Sequence, residues 1–111
     1  MIVQVVKFKS GLTDEEARRI MEDRAPLFRA LPGLLQKHYF REPATGELGG
    51  IYLWDSEESL RAFRESDLAR TIPSAYAVVG QPRVETFEVL FPLREREGAS
   101  GADRVVATAS E

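Results

Sequence analysis

The hexapeptide at residues 49–54, GGIYLW, constrains the fold more than any other part of the chain. Successive side chains of a β-strand point to opposite faces of the sheet, so Tyr52 and Trp54 point one way and Ile51 and Leu53 the other. Large apolar side chains on both faces need cover on both faces. The chain therefore needs a sheet that is buried on two sides.

The elements around this strand can be assigned from local signals. Apolar and aromatic runs at 2–9, 34–41 and 83–91 predict three further strands, and turn residues at 43–47 join two strands into an antiparallel hairpin. Thr13 and Glu16 have the form of a capping box at the start of a first helix. Asp55 or Ser56 caps a second helix. The order β-α-β-β-α-β predicts an α+β, ferredoxin-like antiparallel sheet with both helices on one face.

Three breaks in these patterns give finer expectations. Pro26 lacks an amide hydrogen and is expected to kink or restart the first helix. Pro73 is expected to end a short helical piece near 68–72. A single domain is predicted for residues 1–92, because the small, polar and charged residues 93–111 carry no sustained apolar pattern and are expected to form a disordered tail.

Composition excludes several classes of function. Of the 111 residues none is cysteine and one is histidine, which argues against a metal site. The net charge is -3, and the twelve arginines and three lysines are interleaved with acids, which argues against nucleic-acid binding. The opening MIVQVVKFKS has no basic segment before a long apolar run, so we expect no secretion signal, no membrane span and a cytoplasmic location.

The helix-free face of the predicted sheet is too apolar to meet water. In the fourth strand Phe87, Val89 and Phe91 share one face, and Val84 lies on the other. Large exposed apolar patches mark interfaces. A homodimer joined sheet to sheet is therefore expected.

Four stretches together carry a family resemblance: PGLLQK at 32–37, the hairpin, GGIYLW at 49–54 and ESLRAF at 58–63. The combination resembles the YdhR-like monooxygenases, a branch of the dimeric α/β barrel proteins that includes the antibiotic-biosynthesis monooxygenases. The resemblance covers residues 1–92. It implies a homodimeric barrel and oxygenation of a small aromatic or polycyclic molecule. Similar enzymes that oxidise aromatic polyketides use no metal, flavin or haem, which implies that no cofactor is needed here.

Chemistry of that kind needs a base with a pKa near neutrality and donors for an oxyanion. Histidine is the side chain whose ordinary pKa lies there, so His38 is the candidate base. Trp54 and Tyr52 are candidate catalytic residues at the end of the third strand. The candidates for substrate binding are Tyr39, Arg41 and Tyr76. On the second strand His38 shares a face with Gln36 and Phe40, whereas Lys37, Tyr39 and Arg41 share the other.

Structural roles remain open for each of these side chains: a hydrogen-bonded histidine, an aromatic core and residues at a pocket rim. Two other functions also remain open. One is a proton-transfer isomerase on the same scaffold, because a pocket with one base serves either reaction. The other is a dimeric ligand-binding or stress-response module without catalysis, because fold alone does not determine function.

Overall fold

A computed structural model describes residues 1–94, which form four strands and four helices. In chain order they are β1 (Ile2–Ser10), α1 (Asp14–Arg29), β2 (Leu34–Arg41), β3 (Leu48–Trp54), α2 (Glu57–Arg64), α3 (Asp67–Arg70), α4 (Ile72–Ala75) and β4 (Val78–Glu88).

The strands form one antiparallel sheet in the order β2-β3-β1-β4, with the helices on one face. This arrangement confirms the predicted α+β, ferredoxin-like class. The register pairs Val5 with Ile51 and Val3 with Phe87 on the helix-free face. On the other face Gln4 pairs with Tyr52. A single chain does not show the barrel of two sheets, which stays a prediction.

The predicted helix starts are confirmed by their hydrogen bonds. The Thr13 hydroxyl accepts from the Glu16 amide at 3.2 Å, and the Glu16 carboxylate accepts from the Thr13 amide at 2.9 Å. Ser56 caps α2 in the same way, accepting from the Ser59 amide at 3.2 Å. These bonds satisfy amide groups that have no partner within the helix.

The first helix does not restart at Pro26, and Pro73 does not mark the end of a helix. α1 is a single helix that contains Pro26 in its last turn, and the Pro26 carbonyl accepts from the Ala30 amide at 3.2 Å. Pro73 does not end a helix but lies in the first turn of α4. Amides of a first turn have no intrahelical partner, so a proline there costs no hydrogen bond.

The predicted bounds of β4, 83–91, were also wrong: the strand starts at Val78 and ends at Glu88. Gly80 has a φ of +75°, and the register with β1 shifts between Lys7 and Lys9. An irregularity of this kind lets a strand continue past residues that look like a loop in the sequence. The predicted tail, 93–111, lies outside the described residues except for its first two.

An aromatic cluster holds α1 and α2 to the sheet. Tyr52 stacks on Trp54 with ring centroids 6.0 Å apart and an angle of 5°. Phe63 of α2 lies 5.2 Å from Trp54, and Phe28 of α1 lies 6.2 Å from Tyr52. Trp54 is 0% exposed, and its indole nitrogen donates to the Gln4 side-chain oxygen at 3.1 Å. Each aromatic pair contributes about 0.5–1.5 kcal/mol beyond area burial.

The helix-free face carries half-exposed apolar side chains. Phe87 is 51% exposed and Ile51 is 40% exposed, and Val3, Val5 and Leu53 lie beside them. No helix within residues 1–94 is both long and apolar enough to cross a membrane.

The glycine pair of β3 gives a stability prediction. A Cβ on Gly49 would lie 2.1 Å from the Val6 carbonyl oxygen, whereas a Cβ on Gly50 would lie 3.1 Å from both Lys37 Cε and Tyr52 Cε1, which are side-chain atoms. Because the β1 backbone cannot yield, Gly49→Ala should lower the free energy of unfolding by about 3 kcal/mol. Gly50→Ala should lower it by about 1 kcal/mol. Denaturant titration of both variants measures this, and equal losses would contradict the close approach of β1 and β3.

Candidate active site

Helix α1 borders open space along the side that faces β2. Its buried residues are Ala17 and Phe28. Between α1 and the edge strand β2 lies a cleft of about 900 Å³, which we term the outer cleft. Side chains that line it include Ala17, Met21, Ala25, Arg29, Lys37, Tyr39 and Arg41.

Two smaller voids adjoin the outer cleft. The inner cavity, of about 20 Å³, lies between the sheet and the helices and has room for about one water molecule. Its lining includes Phe8, Phe28, Lys37, Tyr39, Gly50, Tyr52 and Tyr76. The end cleft, of about 350 Å³, lies near the last turn of α1. Lys37 and Tyr39 line all three voids, so they form the junction between open cleft and buried core.

Lys37 places an amine among aromatic rings. Its Nζ atom lies 3.5 Å from the ring centroid of Phe28, 4.4 Å from that of Tyr39 and 4.5 Å from that of Tyr52. Burial, and to a smaller extent the charge of Arg24, lowers the pKa of Lys37 to about 7. The ring faces attract the ammonium form. Both protonation states of this amine are therefore accessible near neutral pH.

Three tyrosines surround the same junction. Burial raises the pKa of Tyr39 and Tyr52, and it raises the pKa of Tyr76 to about 12. Their hydroxyl groups therefore stay protonated at neutral pH and can donate hydrogen bonds. A bound oxyanion would find neutral donors and a cation on the same side of the sheet.

Arg24 supplies a second positive charge close to this junction. Its Nη2 donates to the Leu68 carbonyl at 2.9 Å and to the Thr71 hydroxyl at 3.0 Å, which joins α1 to α3 and to the start of α4. Its Nε is buried with no hydrogen-bond partner within residues 1–94. The charge of Arg24 also lowers the pKa of Tyr52 and Tyr76, opposing the larger effect of burial.

The residues predicted to bind substrate lie along these voids. Tyr39 and Arg41 line the outer cleft, and Tyr76 lines the inner cavity with Tyr52. Arg41 donates to the Asp14 carboxylate at 2.9 Å, which closes one end of the cleft. The structure thus brings the three tyrosines together.

The predicted catalytic residues do not all meet. His38 pairs with Ile51, whereas Lys37 pairs with Tyr52. His38 borders the outer cleft through its place in the edge strand, but strand alternation turns its exposed side chain to the helix-free face. Trp54 lines none of the three voids. The catalytic roles of His38, Tyr52 and Trp54 stay predictions.

Sequence reasoning missed Lys37 as a functional candidate. The alternation of β2 already placed it with Tyr39 and away from His38, which was the available signal. The rings of Phe28 and Tyr52 come from other elements, so nothing near Lys37 in the sequence indicated a buried amine. Within residues 1–94 no three His, Asp or Glu side chains are grouped as a metal ion would require.

Comparison with known proteins identifies the family. The family profile described as "Putative mono-oxygenase ydhR" matches residues 2–99. The chain therefore belongs to the ydhR mono-oxygenase family, which confirms the resemblance read from the sequence. A search of curated proteins finds no match.

Three solved structures share the fold. A Deinococcus radiodurans protein described as "a putative antibiotic biosynthesis monooxygenase" is 14% identical, with a TM-score of 0.67, over 86% of this chain and 99% of that chain. SnoaB of Streptomyces nogalater, described as a cofactor-independent oxygenase, is 17% identical, with a TM-score of 0.67, over 85% and 97%. A dimeric ferredoxin-like protein of unknown function from Thermobifida fusca is 14% identical, with a TM-score of 0.64, over 79% and 90%.

The lowered pKa of Lys37 gives a prediction for stability against pH. Between about pH 7 and about pH 10 the unfolded chain holds a proton on Lys37 that the folded chain has lost, so this residue makes the free energy of unfolding rise with pH. Lys37→Met removes that slope. The stability of the variant minus that of the wild type should therefore fall as pH rises through this window.

Denaturant titration at several pH values measures this difference, and the tyrosines, which both chains share, cancel. Lys9→Met, at an exposed lysine of β1, is the control and should give a flat difference. A flat difference for Lys37→Met would contradict the lowered pKa.

Proposed function

We propose that the chain is a cofactor-independent monooxygenase that oxidises a small phenolic or polycyclic aromatic substrate in the outer cleft. The observation that carries the proposal is the junction at Lys37 and Tyr39, where an open cleft meets aromatic rings, neutral hydroxyl donors and a cation. Membership of the ydhR mono-oxygenase family supports the reaction class. The shared fold of SnoaB, described as a cofactor-independent oxygenase, supports chemistry without a resident cofactor.

The substrate itself supplies the electrons in such a reaction. A phenol or anthrone that loses a proton becomes an anion able to pass an electron to dioxygen. The site favours that anion because Arg24 and the protonated form of Lys37 are positive and the neutral Tyr39 hydroxyl can donate a hydrogen bond. Aromatic side chains at the junction offer surfaces on which a flat ring system can stack.

Most of the residues predicted from the sequence receive a role on this proposal. Tyr39 is the oxyanion donor in the outer cleft, Tyr52 and Tyr76 line the inner cavity behind it, and Arg41 lies at the rim with its partner Asp14. Trp54 supports Tyr52 by stacking against its ring. The proposal also retains the expected cytoplasmic location, which stays a prediction.

The reaction is tested with an oxygen electrode. The purified chain, without added metal or cofactor, should consume oxygen with at least one member of a panel of phenols and anthrones, above the rate of spontaneous oxidation. Tyr39→Phe keeps the ring and removes one donor, so kcat/KM should fall about tenfold or more.

Anaerobic and binding controls separate the alternatives. Turnover that is equal with and without oxygen would contradict oxygenation and favour a proton-transfer isomerase. Thermal stabilisation by aromatic ligands without turnover of any panel member would favour a non-enzymatic ligand-binding module.

We further propose that two copies pack through their helix-free sheet faces. The half-exposed side chains Val3, Val5, Ile51, Leu53 and Phe87 supply the apolar surface for that contact. The Thermobifida fusca protein, which shares the fold, is described as dimeric. His38 would then lie at the interface between the two chains.

Two variants of β4 test this contact. Phe87 and Val84 are 51% and 55% exposed, and the register puts them on opposite faces of the same edge strand. Phe87→Glu places a charge in the proposed interface and should give a monomer, because a buried unpaired charge is costly. Val84→Glu should leave the dimer intact. Analytical ultracentrifugation distinguishes the two, and dissociation by both variants or by neither would contradict a sheet-to-sheet dimer.

A further inference from the structure

We propose that the proton acceptor of the outer cleft is Lys37: its amine takes the proton of the substrate's hydroxyl, and the resulting ammonium holds the oxyanion. The inference rests on the proposed function and names the residue that makes its first step possible. It also names the chemical class of the ligand, an aromatic compound with an ionisable hydroxyl group.

Position distinguishes Lys37 from the other lysines. Lys7 forms an ion pair with Glu42, and Lys9 is exposed on β1. Lys37 lines all three voids, and it has no salt bridge to a carboxylate within residues 1–94. An amine without a carboxylate partner is free to lose its proton when the pocket is empty and to pair with an anion when the pocket is filled.

The charged groups around Lys37 favour the same cycle. Burial lowers its pKa to about 7, so a substantial fraction of the amine is neutral at physiological pH. Arg24 and Arg29 of α1 are both positive, which disfavours a second cation but favours an anionic ligand. The remaining titratable groups that face the junction are Tyr39 from β2, Tyr52 from β3 and Tyr76 next to β4. The three acids that line the outer cleft are each paired with an arginine: Asp14 with Arg41 at 2.9 Å, Glu15 with Arg19 at 3.4 Å and Glu22 with Arg18 at 3.5 Å.

The chemistry balances with dioxygen as the co-reactant. For an anthrone in its enol form, the O–H bond breaks and an N–H bond forms on Lys37. The anion then passes one electron to dioxygen, and the two radicals join to form a carbon–oxygen bond. Lys37 returns its proton to the peroxide oxygen. Loss of the remaining C–H proton with cleavage of the O–O bond leaves a quinone carbonyl and one water, so one oxygen atom enters the product and the other leaves as water.

The neighbouring residue offers a matched control. His38 follows Lys37 directly, but its side chain lies on the opposite face of the sheet. Substitutions at these two adjacent positions therefore distinguish a base in the outer cleft from a base on the helix-free face. Lys37→Met removes the amine and keeps most of the length, Lys37→Arg keeps a cation that cannot accept a proton, and His38→Ala removes the imidazole.

The first experiment measures ligand ionisation and needs no turnover. The probe is para-nitrophenol, whose anion absorbs visible light and whose neutral form does not. Wild type, Lys37→Arg and His38→Ala should bind it as the anion at a pH where the free phenol is mainly neutral. Lys37→Met should bind it more weakly and in the neutral form. Anion binding that is equal in Lys37→Met and wild type, or no binding to wild type, would overturn the inference.

The second experiment measures oxygen consumption against pH with the best substrate of the panel. In wild type kcat/KM should rise with pH near neutrality as Lys37 loses its proton. Both Lys37→Met and Lys37→Arg should lose about 100-fold or more, whereas Lys9→Met, at an exposed lysine of β1, should stay within about twofold of wild type. A large loss in His38→Ala with normal rates in Lys37→Met would overturn the inference and support the base predicted from the sequence.

The two experiments also separate this inference from the proposed function. If nitrophenol ionises in a Lys37-dependent way but no substrate consumes oxygen, the proposed function fails and the anion site stands. If oxygen is consumed at normal rates in Lys37→Met, the proposed function stands and the inference fails. Thermal unfolding of each variant confirms that a lost signal does not come from a lost fold.

Discussion

The stack of Tyr52 on Trp54 is the contact on which the rest of the structure depends. Both residues lie on β3, an inner strand of the sheet. Trp54 packs against Phe63 of α2, and Tyr52 packs against Phe28 of α1. The same contacts therefore position both main helices against the sheet. The hydrogen bond from the Trp54 indole to Gln4 satisfies the one polar atom of that ring and ties β3 to β1. Removing either aromatic side chain would loosen the sheet, the helices and the site together.

The candidate site is formed in part by the same aromatic side chains that pack the core. Ala17 and Phe28 hold α1 to the core, and the side of the helix toward β2 borders open space. Phe28 and Tyr52 then present ring faces to the Lys37 amine. Side chains that stabilise the core thus create the low-polarity surroundings that lower the pKa of that amine. Phe28 and Tyr52 therefore belong both to the hydrophobic core and to the candidate site.

Strand alternation turns neighbouring residues of β2 to opposite faces of the sheet. Lys37 and Tyr39 face the cleft, and His38 between them faces the side proposed to meet a second copy. A one-residue slip of β2 would exchange these roles completely. The difference between the two faces specifies the register, because a slip would take Lys37 out of its contacts with Phe28 and Tyr52.

Much of the fold could be predicted from the sequence, because caps and alternation are local. Thr13 and Ser56 correctly predicted the starts of two helices, and the apolar run of β3 correctly predicted a strand. The start of β4 could not be predicted, since a strand that continues through Gly80 depends on pairing with β1 rather than on its own residues. The tyrosines of the site were found by their residue type. Lys37 was not, since its properties come from Phe28 and Arg24, which are distant from it in the sequence.

A crystal structure of the protein with a bound phenolic ligand would locate the site. We expect the ligand in the outer cleft, with its ionised oxygen within hydrogen-bonding distance of Lys37 Nζ and its ring against Tyr39. A ligand on the helix-free face beside His38, with the outer cleft empty, would contradict this expectation.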